Sequence, residues 1–79
     1  MKKKRQPLDE CVRENLQTYF ADLRGTEPAG MHGMMIRAVE KPLLEVVMQH
    51  ARHNQSLAAD WLGLNRNTLR KKLLEHKLL

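Results

Sequence analysis

The sequence predicts an all-α fold of four helices, two long ones followed by two short ones. Three observations carry this. Apolar residues recur at steps of three and four from Leu8 to Leu23 and again from Met31 to Val47, the spacing that gathers them on one face of a helix. Two asparagines, Asn54 and Asn65, each stand just before a short apolar-periodic segment, with Gly63 between those segments. No stretch alternates apolar and polar residues as a half-buried strand does.

Residues 1 to 6 are charged and carry no apolar face, so they read as a disordered basic tail. Pro7 suits the first turn of a helix, where its missing N–H would have no partner. Leu8, Cys11, Val12, Leu16, Tyr19, Phe20 and Leu23 then form one stripe along the first helix. Gly25 suits a left-handed cap at its end. The loop TEPAG separates it from a second stripe of Met31, Met34, Met35, Ala38, Val39, Leu43, Val46 and Val47. Pro42 interrupts that helix, but the pattern stays in phase across it, which predicts one bent helix and not two short ones. Asn54 is an N-cap for a third helix from Gln55, ended by Gly63, and Asn65 caps a fourth from Arg66 to about His76. Roles divide accordingly: a tail at 1–6, a helical dimerisation region at 7–53 and a helix-turn-helix at 54–79.

A chain of 79 residues is at most one small domain, marginal unless reinforced. Cys11 is the only cysteine, which rules out an internal disulfide and a thiolate zinc site. Oligomerisation is the remaining device. The 14 Lys and Arg outnumber the 9 Asp and Glu, and the excess is local. Between residues 6 and 51 the acids Asp9, Glu10, Glu14, Asp22, Glu27, Glu40 and Glu45 outweigh Arg13, Arg24, Arg37 and Lys41. From Arg52 onward Arg52, Arg66, Arg70, Lys71, Lys72 and Lys77 face only Asp60 and Glu75. A basic C-terminal third on a mildly acidic body is a surface for a polyanion. No apolar segment follows the basic start, so neither a signal peptide nor a membrane span is expected. The expected location is cytoplasmic.

The segment NQSLAADWLGLNRNTLRKKL has the layout of a helix-turn-helix. Ala59 is small where the two helices must approach, Gly63 turns the chain and Leu64 fills the corner. Leu69 and Leu73 are placed to hold the last helix against Leu57, Ala58, Trp61 and Leu62. The N-terminal residues of a recognition helix meet base edges in the major groove; here they are Asn65, Arg66, Asn67, Thr68 and Arg70, with Lys71 and Lys72 beyond. Arg pairs with a guanine edge and Asn with an adenine edge, while lysines and helix N-termini suit phosphates. Asn54 and Ser56 stand ready for the backbone of double-stranded DNA.

VEKPLLEVVMQHARHNQSLAADWLGLNRNTLRKKL resembles the factor for inversion stimulation (Fis) family of bacterial nucleoid-associated proteins, and the likeness extends back through LDECVRENLQTYFADLRG. The resemblance implies a homodimer whose first two helices form a four-helix core. It implies recognition helices closer than one DNA turn, so that the duplex bends and specificity is partly indirect. Matched residue by residue, it implies DNA contacts by Arg52, Asn54, Ser56, Asn65, Arg66, Thr68, Arg70, Lys71 and Lys72, with Arg66 the main base reader. It also matches Arg52, His53 and Gln55 to a surface touching RNA polymerase. Family members that stimulate recombinases carry an N-terminal hairpin arm, and only a basic tail precedes Leu8 here, so that activity is not expected. Leu74 and Glu75 replace further lysines, which lowers the expected salt dependence of binding.

No glycine-rich phosphate loop and no nucleophile with a base is present, so an enzyme is not expected. No cofactor is expected, nor a metal shared by two of His32, His50, His53 and His76, because His50 and His53, three apart at a helix end, have no thiolate or carboxylate nearby. Cys11 and the methionines read as packing residues. Two other functions fit the same residues: an output domain detached from an NtrC-type regulator, which the C-terminal part also resembles, and a helical adaptor whose basic face docks an acidic protein.

Overall fold

A computed structural model describes residues 6–79 of the chain. The basic run Lys2–Arg5, and with it most of the tail expected at 1–6, lies outside them. Four helices are present, α1 (Leu8–Leu23), α2 (Met31–His50), α3 (Gln55–Leu62) and α4 (Arg66–Glu75), with no strand among the described residues. The chain divides into two compact units, the first ending at Met31 and the second running His32–Leu79.

In the first unit, Pro7 sits one residue ahead of α1 in an extended conformation, and its carbonyl accepts the Cys11 N–H at 3.1 Å. Asp9 and Glu10 place negative charge in the first turn, where the helix dipole favours it. Arg13 reaches back to Asp9 at 3.0 Å, with both side chains about two-thirds exposed, so this pair contributes only a few tenths of a kcal/mol. No residue of α1 is buried. Cys11, Val12, Leu16, Tyr19 and Leu23 are half-buried, while Leu8 and Phe20 are exposed. The helix ends one residue earlier than the glycine implies: Arg24 adopts the left-handed conformation (φ 51°) and Gly25 follows it (φ 86°).

The second unit is built on α2, which runs unbroken through Pro42 as the in-phase pattern predicts. Its Leu44 and Met48, with Ala51 just beyond, are buried together with Ala58 and Ala59 of α3 and Leu69 and Leu73 of α4. This core crosses residues 53 and 54, so the end of α2 and the two short helices fold as one body. At 100° per residue, Leu44 and Met48 lie on a different side of α2 from Ile36, Val39, Leu43 and Val46, which remain 47, 41, 48 and 52 % exposed. The helix thus carries two apolar stripes, of which one is used within the chain.

The turn after α2 is tight. His53 donates its backbone N–H to the Met48 carbonyl at 2.9 Å, and Asn54 donates to Ala51 at 3.0 Å. It requires two consecutive left-handed residues, Arg52 (φ 54°) and His53 (φ 64°), neither of them glycine.

A candidate nucleic-acid interface on the last two helices

Each short helix is delimited by the residues its sequence supplies. Asn54 Oδ1 accepts the Leu57 N–H at 3.1 Å and Asn65 Oδ1 accepts the Asn67 N–H at 2.8 Å, so each cap satisfies an N–H that the helix leaves unpaired. Gly63 takes φ 72° between them, and the Leu64 N–H closes back onto the Ala59 carbonyl at 2.9 Å. Three residues, 63 to 65, therefore reverse the chain and set α4 across α3, with Leu69 and Leu73 fully buried and Leu62, Leu64 and Leu78 half-buried.

The contact between the two helices is narrower than the periodicity suggests. Ala58 and Ala59 face the core, whereas Leu57 and Trp61 lie on the outer side of α3, 38 and 56 % exposed. Leu57 and Trp61 are four residues apart and so share one side of the helix. Small residues at 58 and 59 are what close packing selects, and the bulkier pair is turned outward.

On α4 the buried stripe at Leu69 and Leu73 leaves the opposite side free. Asn67, Thr68, Arg70, Lys71 and Leu74 line one shallow, open surface there. Arg66 stands exposed in the first turn, next to the exposed cap Asn65. Among the described residues Arg66, Arg70 and Lys71 form no ion pair. Arg52, Asn54 and Ser56, at the start of α3, are exposed as well, and the amide nitrogens of Asn54 and Asn65 remain available as donors. Of the residues singled out from the sequence, these nine stand at the surface of the helix-turn-helix.

Lys72 is placed differently. Its Nζ lies 2.7 Å from Glu40 Oε2, on α2, and His76 Nε2 lies 2.9 Å from Glu40 Oε1. The hydrogen bond from Lys72 first, and that from His76 second, hold the Glu40 carboxyl below its ordinary range, while burial partly opposes them. The ionised carboxylate only accepts, so His76 Nε2 carries the proton. The same hydrogen bond raises Lys72 above the ordinary lysine value. Neither Glu40 nor the role of His76 is visible in the sequence, because the partners are 32 and 36 residues apart.

A pair of short capped helices joined by a glycine turn, with a basic and amide-rich outer face on the second, defines a helix-turn-helix protein. The family described as bacterial regulatory protein, Fis family, matches residues 35–76. The chain is 56% identical over 75 residues to a Fis-like DNA-binding protein of Ralstonia nicotianae, covering 95% of this chain and 97% of that one. It is 57% identical over 72 residues to a Fis-like DNA-binding protein of Neisseria meningitidis serogroup A, covering 91% of each. With the DNA-binding protein Fis of Proteus mirabilis it shares 44% identity over 70 residues, covering 89% of this chain and 71% of the relative. The chain belongs to the Fis family. The described residues contain no helix long and apolar enough to cross a membrane.

Proposed function

We propose that the protein binds double-stranded DNA as a homodimer, bends it, and acts as a nucleoid-associated transcriptional regulator. The observation that carries this is the outer face of α4, where Asn67, Thr68, Arg70 and Lys71 stand together beside Arg66 with no acidic partner for Arg66, Arg70 or Lys71 among the described residues. Guanidinium and amide groups at the start of such a helix are the donors that read base edges. The ammonium of Lys71, and the Arg52, Asn54 and Ser56 side chains near the start of α3, suit phosphates that fix register. The names of the relatives, which state DNA binding, support the same reading.

The second stripe of α2 supports the dimer. Ile36, Val39, Leu43 and Val46 are spaced at three and four residues and are about half exposed in a single chain. A second copy would cover them and supply the burial that 79 residues lack. The exposed Arg52 and His53, with the half-buried Gln55, form the turn through which RNA polymerase would be touched.

The test is a salt titration of binding to random and A/T-centred duplexes, with sedimentation to fix stoichiometry. One dimer per site, steep salt dependence and preference for the A/T-centred duplex are expected. Absence of duplex binding at low salt would favour the helical adaptor, whose basic face would instead retain an acidic protein.

A further inference from the structure

We propose that Glu40 is the residue that positions the recognition helix, with Lys72 and His76 as its internal anchors and not as phosphate contacts. The proposal rests on the reading of α4 as the DNA-reading element. Glu40 projects from α2, and its two oxygens are divided between two residues one turn apart, Lys72 on α4 and His76 at its C-terminal cap: Oε2 takes Lys72 Nζ at 2.7 Å and Oε1 takes His76 Nε2 at 2.9 Å. The three side chains are largely withdrawn from water, 17, 29 and 8 % exposed for Glu40, Lys72 and His76. Glu75 adds a second negative charge near Lys72. His32 and Arg37 of α2 line the same groove.

The geometry supplies what the core cannot. Leu69 and Leu73 hold α4 by dispersion and burial, which have no direction. A carboxylate gripping two donors along one edge of a helix resists both its rotation and its slide. The need is set by leverage: a helix of 10 residues is about 15 Å long, so a tilt of about 10° would carry its far end about 3 Å, a full hydrogen-bond length. At 100° per residue Lys72 lies on the flank of α4 next to Thr68 but a full 100° from Lys71, which stands in the open surface with Asn67, Thr68 and Arg70, and its ammonium is turned to Glu40.

The experiment measures duplex binding by the full-length protein against salt concentration for charge-altered variants. Glu40→Lys should lower affinity about tenfold, the scale of a broken part-buried charge pair. Adding Lys72→Glu to it should restore most of that loss, because the pair is re-formed with its signs exchanged. If Lys72 instead touched a phosphate, the double variant would bind worse than the single one. Independently of how well Glu40→Lys folds, Lys71→Gln should reduce the slope of log affinity against log salt by about 0.9, and Lys72→Gln should leave it unchanged. No loss with Glu40→Lys, no recovery in the double variant, or a slope change with Lys72→Gln would each overturn the proposal. Failure of the unaltered protein to bind duplex would overturn the DNA reading as well, and is a separate result.

Discussion

Lys72 Nζ lies 2.7 Å from Glu40 Oε2, joining α4 to α2 across 32 residues of sequence. The pairing has consequences for stability as well as for the placement of α4. Glu40 is held below its ordinary value of 4.5 by the Lys72 and His76 hydrogen bonds, so its contribution is present above that value and is lost as pH falls through the lowered one. Lys72 is raised above 10.5 by Glu40, so its share is present below 10.5 and is lost as pH rises through the raised value. Between those limits Glu40→Gln should cost about 1–2 kcal/mol. Thermal melts at several pH values check this: the gap in Tm between the two proteins should be constant near neutrality and shrink on acidification. A gap that persists at pH 2 would assign the loss to packing.

Arg66 begins α4 at an exposed position beside the Asn65 cap. Arg66→Ala should weaken binding to a preferred site by about 1–3 kcal/mol and relax the choice of base at one position. Binding to a panel of single-base site variants is the measurement. An equal loss on random duplex would make Arg66 a backbone contact.

Val46 is 52 % exposed in the isolated chain, so a charge placed there would be well solvated unless another copy covers it. Val46→Asp should therefore abolish the dimer, at a cost on the order of 3–5 kcal/mol for each unpaired buried charge. Sedimentation at several concentrations reads the result. An unaltered dimer would place the interface on another face.

His53 occupies φ 64° in the turn between α2 and α3, a region that costs a residue with a Cβ about 1 kcal/mol or more. His53→Gly removes that strain and adds some freedom to the unfolded chain. The net expectation is a gain of up to about 1 kcal/mol, seen as a Tm a few degrees higher. A lower Tm would mean that the imidazole makes a stabilising contact.

Much of this architecture was legible because it is local. Asn54, Gly63 and Asn65 act within three or four residues of their own positions, so reading them along the chain places α3 and α4 almost to the residue. The phase of the apolar pattern likewise carries α2 through Pro42. The outcome at Leu57 and Trp61 was not legible. Periodicity marks them as apolar but cannot say which of two sides of an eight-residue helix meets α4, and packing chose Ala58 and Ala59. Nor does the first stripe on α2 reveal the second, because Leu44 and Met48 acquire their meaning only when α3 and α4 fold back on them.

The sequence by itself determined the all-α class, the caps that open and separate the two short helices, and the concentration of positive charge on the last third, since each depends on neighbours a few positions away. Tertiary structure alone decided which of two similar lysines, Lys71 and Lys72, stands free. Both are basic and adjacent, yet one step along a helix turns a side chain by 100°. That rotation leaves Lys71 in the open surface of α4 and brings Lys72 to the carboxylate of Glu40.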